Sequence, residues 1–221
     1  MGDRSDIFLP RGLELRHNEG GLALVHGDMV LRCDFTTMLP RLRQDRLAHE
    51  LLVRAARVRG VERPSAVDAT AGLGEDSLLL AAVGFEVTLV EHDPVIAALL
   101  RDGLERAANE SQLEGIVCRL RLIEGDSVEV LAGLAEAPDV VYLDPMFPAK
   151  RKDAATKKKL QLFQMLERPC GNEDDLMRAA LAARPRKVVV KRPLKGPNLA
   201  GLKPSSTFAG KVVRYDVYVP V

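Results

Sequence analysis

Apolar residues change their spacing along this chain, and each change marks an element. Between residues 7 and 35 apolar and polar positions alternate around glycines, as in Leu13-Glu14-Leu15-Arg16, Leu22-Ala23-Leu24-Val25 and Met29-Val30-Leu31-Arg32. That period of two, with Gly20-Gly21 and Gly27-Asp28 between the runs, predicts short antiparallel strands joined by tight turns. From residue 43 to 58 the period lengthens. Leu47, Leu51, Leu52, Ala55 and Val58 recur at helical spacing with arginines opposite, which predicts one amphipathic helix ended by Gly60. After Pro64, short apolar runs, glycine turns and helical stretches repeat in order. Strands are expected over 65–69, 86–90, 119–123, 140–143 and 187–190, and helices over 75–82, 94–108 and 127–134. The last alternation, 212–219 after Gly210, reads as an exposed-edge strand. Strands that alternate with helices imply an α/β fold, a doubly wound and mostly parallel sheet. The expected division is a small N-terminal β appendage with its helix over residues 1–60 and the α/β domain over 61–221.

A chain of 221 residues, 47% of them hydrophobic, can bury a sizeable core. No apolar run is long enough to span a bilayer, and residues 1–10 carry two aspartates and no extended hydrophobic region, so neither a membrane span nor a signal peptide is expected and the expected location is cytoplasmic. Cys33, Cys118 and Cys170 lie far apart in no metal-ligand spacing, and His17, His26 and His49 are scattered. That pattern predicts packing roles for the cysteines, surface or packing roles for the histidines, and no metal.

The net charge of +1 conceals a steep segregation. Residues 68–144 hold 4 basic and 16 acidic side chains, residues 145–221 hold 17 and 6, and no lysine precedes Lys150. An acidic half suits a cationic ligand and a basic half suits a polyanion. The basic residues concentrate in Lys150, Arg151, Lys152, Lys157, Lys158 and Lys159, which reads as a loop that grips phosphates; Lys191 and Arg192, at the end of a strand, are expected to join that rim.

The first parallel strand runs into Asp68-Ala69-Thr70-Ala71-Gly72-Leu73-Gly74-Glu75-Asp76. Gly72 and Gly74 allow a sharp turn and close backbone approach to a ligand, and Glu91 follows 19 residues beyond Gly72, where such folds hold a ribose diol. A dinucleotide fingerprint wants glycine or alanine where this chain has Ser77, and Asp68, Glu75 and Asp76 would repel a pyrophosphate. S-adenosylmethionine, with a cationic sulfur and an α-amino group, suits the same carboxylates. Asp126-Ser127 ends the third strand, placed either to meet the adenine or to cap the next helix. Asp144-Pro145-Met146-Phe147-Pro148 closes a buried apolar run with a carboxylate, a stiff turn and a ring, at the sheet end where open α/β folds bind ligands.

Taken together, Asp68 to Asp76, Glu91-His92-Asp93-Pro94, Asp126-Ser127 and Asp144 to Pro148 resemble a class I methyltransferase. More narrowly, Asp-Ala-Thr-Ala-Gly-Leu-Gly, Val-Tyr-Leu-Asp-Pro-Met-Phe-Pro and the Val-Val-Val-Lys-Arg-Pro that ends at Pro193 resemble the ribosomal RNA small subunit methyltransferase J family. The resemblance covers residues 65–221 and implies methylation of the exocyclic N2 of a guanine in 16S rRNA, free or in the small subunit. It implies cofactor contacts at Glu75-Asp76, Glu91-His92, Asp126-Ser127 and Asp144. Familiar members carry a basic-acidic pair where this chain has Glu75-Asp76, and a glycine-rich segment where it has residues 36–46. The chemistry so implied uses the Asp144 carboxylate and the Pro145 carbonyl as acceptors for the two amine protons, with Phe147 stacked on the base. The readings that compete are amine methylation of another nucleic acid or a protein, a cytosine C5 enzyme using Cys170, a nicotinamide dehydrogenase, and a non-catalytic RNA-binding module with a retained cofactor pocket.

Overall fold

The computed structural model describes residues 9–145, 161–162, 165–166 and 173–220. It contains the expected mixed α/β architecture: a three-stranded antiparallel sheet, in order β1-β2-β3, and a seven-stranded, mostly parallel sheet. The small sheet comprises β1 (Glu14–Asn18), β2 (Gly21–His26) and β3 (Met29–Leu31). The large sheet comprises β4 (Ser65–Asp68), β5 (Glu86–Glu91), β6 (Leu120–Glu124), β7 (Val140–Leu143), β8 (Lys187–Pro193), β9 (Ser206–Ala209) and β10 (Val213–Tyr218), in order β6-β5-β4-β7-β8-β10-β9. The chain steps outward from β4 to β6 and then returns to the other side of β4 as β7. That reversal opens a crevice at the carboxyl ends of β4 and β7.

The described helices are α1 (Leu39–Leu42), α2 (Gln44–Leu47), α3 (Leu51–Ala56), α4 (Glu75–Ala82), α5 (Pro94–Ala107), α6 (Glu114–Val117), α7 (Ser127–Ala132) and α8 (Glu173–Ala182). Strand alternation sorts the core into two layers. Ala66, Val87, Leu89, Val140 and Tyr142 face the layer that holds Leu78, Leu79 and Leu80 of α4; Val67, Val90, Val141 and Leu143 face the layer that holds Leu131 of α7 and Met177 of α8. Both faces of these strands are covered, so β7 reads as an unbroken apolar run.

The small sheet packs on α5. Gly103 is required there, because a Cβ would lie 2.3 Å from the Cys33 sulfur. The Asp102 carboxylate accepts from the Leu22 amide at 3.0 Å and from Arg106 at 2.9 Å, and Arg106 also donates to the Cys33 carbonyl. Pro94 starts α5, and Asp93 caps it by accepting from the Val95 and Ile96 amides.

Three sequence expectations are corrected. The single helix over 43–58 is interrupted, since Arg43 (ψ 136°) and Glu50 (ψ 126°) are extended. Glu50 instead turns its carboxylate to Arg41, which donates to both oxygens at 2.8 and 2.9 Å. The strand expected at the edge, β10, is interior, with β9 bonded outside it. The polar residues that imitate a solvated face, Arg214 and Asp216, are a buried ion pair at 3.0 Å. Cys118 is exposed and donates to the Gly115 carbonyl, whereas Cys33 packs in the core.

Candidate active site

The glycine loop between β4 and α4 is held by carboxylates. Gly72 and Gly74 have φ of +54° and +74°; at Gly74 a Cβ would also lie 2.9 Å from Leu100 and 3.1 Å from Leu89. Asp68, at the end of β4 and 1% exposed, accepts from the Thr70 amide at 3.1 Å and from the Ser77 hydroxyl at 2.5 Å. Ser77 therefore locks the loop from inside α4. Burial pushes the Asp68 carboxyl up to about 7, with the Ser77 and Thr70 hydrogen bonds opposing it.

This displacement has a measurable consequence. The folded carboxyl binds its proton more tightly than an ordinary aspartate at 3.8, so its contribution to stability is complete below about pH 4 and is lost as pH rises through 7. Asp68→Asn is expected to remove about 2 kcal/mol of the fall in unfolding free energy between pH 5.5 and 8. Urea unfolding of both proteins at the two pH values checks it; parallel pH profiles would mean that Asp68 is ionised throughout.

Glu91, at the end of β5 and 8% exposed, accepts from the Gly72 amide through Oε2 and from the Asp93 amide through Oε1, both at 2.9 Å. Burial raises its pKa against those two amides and the neighbouring His92, whose Nδ1 lies 3.5 Å away. Asp126 caps α7, its Oδ1 accepting from the Val128 and Glu129 amides, and Ser127 donates to the Ala69 carbonyl at 2.6 Å. The helix-cap alternative for Asp126 is thus present, and Ser127 ties the third strand end to the first.

Asp144 follows β7. Its amide donates to Thr70 Oγ1 at 2.6 Å, and its Oδ2 lies 2.8 Å from Lys191 Nζ. Lys191 also reaches Asp76 Oδ2 at 2.6 Å, where Tyr142 donates from the other side at 2.6 Å. Burial disfavours both charges, yet their attraction prevails: Asp76 sits below its ordinary value, and the Asp76 and Asp144 carboxylates hold Lys191 well above its own. Burial beside the same carboxylates raises the Tyr142 hydroxyl well above its usual range.

Two cavities meet at this point. One of about 1210 Å³ runs past Ala69, Thr70, Gly72, Glu91, His92, Asp93, Asp126, Ser127, Asp144 and Pro145 towards α7 and α8. The other, about 460 Å³, lies over Asp68, Glu75, Asp76, Tyr142, Lys191 and Tyr215 and is walled by Arg41, His49 and Glu50. Thr70, Gly72 and Asp144 line both.

The structure therefore gathers Asp68, Thr70, Gly72, Glu75, Asp76, Glu91, His92, Asp126, Ser127, Asp144 and Pro145 around one crevice, with Gly74 directly behind it as the N-cap of α4. It corrects the expectation for Lys191 and Arg192. Lys191 turns inward to two carboxylates, and Arg192, on the opposite face of β8 and 1% exposed, donates to the Pro197 carbonyl at 2.8 Å. Strand alternation sends neighbouring side chains to opposite faces, so the two cannot share a rim. Phe147, Lys150, Arg151, Lys152, Lys157, Lys158, Lys159 and Cys170 lie outside the described residues. Tyr142, Arg41 and Glu50 belong to the crevice and were not singled out by sequence. Tyr142 carries a usable signal: two residues before Asp144 in a strand, it shares that residue's face.

Among the described residues no helix is long and apolar enough to cross a membrane, and no cluster of three or more His, Cys, Asp or Glu side chains is arranged to hold a metal ion.

A parallel sheet with this reversal, a glycine loop and a ring of acids defines a nucleoside-cofactor enzyme. Residues 11–220 match the family described as putative SAM-dependent methyltransferase, and the chain belongs to that family. Over 193 residues it is 47% identical to ribosomal RNA small subunit methyltransferase J of Thioalkalivibrio sulfidiphilus, covering 86% of this chain and 76% of that protein. It is 48% identical over 170 residues to the protein of the same name from Pseudomonas aeruginosa, covering 76% of this chain and 65% of its relative. A solved SAM-dependent methyltransferase from Neisseria gonorrhoeae superposes with a TM-score of 0.78 at 33% identity, over 96% of this chain and 84% of that one. Within the class, the chain is a member of the ribosomal RNA small subunit methyltransferase J family. The cofactor is S-adenosyl-L-methionine, and the donor set fits it: the crevice offers several carboxylates to a cationic ligand, and Glu91 is anchored by backbone amides at the site's edge.

Proposed function

We propose that this protein transfers a methyl group from S-adenosylmethionine to the exocyclic N2 amine of a guanine in 16S ribosomal RNA. The observation that carries this reading is the position of Asp144, fixed through backbone and carboxylate where the two cavities meet. The relatives' names supply the small-subunit RNA, and the resemblance of Asp144 to Pro148 to the family's sequence supplies the guanine amine.

The cofactor, when bound, presents a methyl group on a positively charged sulfur. Glu91 holds its ribose, Asp126 and Ser127 face its adenine, and Asp68, Glu75 and Asp76 surround its amino-acid end. His92 flanks the ribose site, while Thr70, Gly72 and Gly74 shape the loop against it. The guanine amine is a weak nucleophile because its lone pair is delocalised into the ring. Asp144 and the Pro145 carbonyl each accept a hydrogen bond from one amine N–H, which pyramidalises the nitrogen and aims its lone pair at the methyl. Asp144 orients the amine first and takes the departing proton afterwards. Phe147 is assigned to stacking on the extruded base and Lys150, Arg151, Lys152, Lys157, Lys158 and Lys159 to the RNA backbone, both on sequence alone.

Transfer of labelled methyl to 16S rRNA and to small subunits, followed by nucleoside analysis, tests the reading. Label in N2-methylguanosine is expected; label in another nucleoside, or in protein, overturns it. A second expected result concerns the cofactor. Glu91→Gln removes a charged acceptor and one of its two amide bonds, so calorimetry should show S-adenosylmethionine affinity weaker by about 10- to 100-fold. Undiminished affinity would place the ribose elsewhere.

A further inference from the structure

We propose that Lys191 is a positioning residue for methyl transfer, holding the Asp144 carboxylate ionised and in one orientation at the target amine; this rests on the function proposed above. The register of the sheet makes the contact possible. Leu143 pairs with Val190 in parallel strands, so the next residues, Asp144 and Lys191, project side by side at the same sheet end. Lys191 Nζ then spans Asp144 Oδ2 at 2.8 Å and Asp76 Oδ2 at 2.6 Å, and only 24% of its side chain is exposed. Thr70 fixes the backbone of Asp144 and Lys191 fixes its carboxylate, which leaves the group little freedom to rotate.

The surroundings of Asp144 give the lysine an electrostatic task. Asp144 shares its surroundings with Asp76 and Glu75 from α4, Asp68 from β4 and the hydroxyls of Tyr142 and Tyr215 from β7 and β10. Among the described residues, positive charge comes from Lys191 and from Arg41; His49 stands on the same wall, and Glu50 pairs with Arg41. Among these, the Lys191 ammonium is the cation in contact with Asp144. Without it, crowded carboxylates would favour protonation of one member. A protonated Asp144 would offer an O–H donor where the amine needs an acceptor. During transfer the amine lone pair forms the nitrogen–carbon bond, the carbon–sulfur pair stays on sulfur, and the released proton leaves through Asp144 to water. The lysine keeps its own proton throughout, because its two carboxylates hold it in the charged form.

Two measurements on Lys191→Met, with Lys191→Gln as the alternative should the first fail to fold, test the assignment. In protein carrying ¹³C-labelled aspartate carboxyls, with the Asp144 signal assigned by its loss in Asp144→Asn, the Asp144 midpoint is expected to rise by about 1 to 3 pH units relative to wild type. In methyl transfer, kcat is expected to fall about 100-fold, with its acidic limb moved towards neutral pH. Lys191→Arg, which keeps the charge, is expected to restore most of the rate and the wild-type limb. A merely structural lysine would lower stability and leave the Asp144 midpoint and the acidic limb in place, and that outcome overturns the proposal. If wild-type protein methylates no small-subunit RNA, the proposed function fails; the titration, which needs no substrate or cofactor, still decides whether Lys191 sets the state of Asp144.

Discussion

Asp144→Ala is expected to lower kcat for methyl transfer by about 10²- to 10⁴-fold while S-adenosylmethionine affinity falls by less than about tenfold. The asymmetry follows from what the carboxylate touches. On the cofactor side Asp144 is one of several acids, alongside Asp68, Asp76 and Glu91, so its loss removes one part of a shared attraction. In the proposed reaction it is, on the substrate side, the acceptor that fixes the amine, and a misoriented nitrogen presents a delocalised lone pair to the methyl. The variant is expected to fold, because Lys191 keeps Asp76 as its partner at 2.6 Å and no buried charge is left alone. Asp144→Asn retains one acceptor without the charge and should fall between wild type and alanine. Single-turnover transfer and calorimetry on the same preparations separate the two effects. A kcat within about threefold of wild type would remove Asp144 from the chemistry; an equal loss in affinity and rate would make it chiefly a cofactor ligand.

The parallel half of the sheet was legible because its signals are local. The run 140–143 is apolar throughout since both faces are covered, and Asp93-Pro94 writes a helix start into two residues. The gathering of the acids around one crevice was legible for the same reason, as they follow strand ends or a glycine turn. The contacts that failed to show depend on pairings that follow neither a helical nor a strand period. Glu50 breaks the expected helix because Arg41 sits where it can take both carboxylate oxygens, a pairing no periodicity encodes. Lys191 and Arg192 looked alike as adjacent cations at a strand end, yet one completes a carboxylate triad with Asp76 and Asp144 and the other is packed beneath the sheet. Charge counts carry no face information. Applying the strand period of two to Lys191 and Asp144 together would have exposed the difference, once β7 and β8 were known to be neighbours.

The same ambiguity in β10 leads to the second large effect. Asp216→Ala is expected to lower the unfolding free energy by about 3–5 kcal/mol, which for a chain of this size is a melting temperature lower by about 10 °C. Asp216 is fully buried, and both its oxygens accept from Arg214 at 3.0 Å; Thr207 on β9 donates to it at 2.8 Å. Removing it strands a guanidinium that is itself buried, and the cost is that of an uncompensated charge rather than of one lost contact. Arg214 also donates to the carbonyls of Pro193, Leu194 and Gly196 and to Asn198, so it fastens the turn after β8 to the neighbouring strand. That turn begins three residues beyond Lys191. Loss of Asp216 should therefore loosen the end of β8 and lower kcat in the folded variant at low temperature, with cofactor affinity less affected because Glu91, Asp126 and Ser127, the proposed ribose and adenine contacts, lie across the sheet. Thermal unfolding followed by circular dichroism measures the first effect, and single-turnover transfer well below the melting temperature measures the second. An Asp216→Asn variant separates charge from shape. If it is as stable as wild type, hydrogen bonding alone holds the strand; if it falls with alanine, the buried pair is held by its charge.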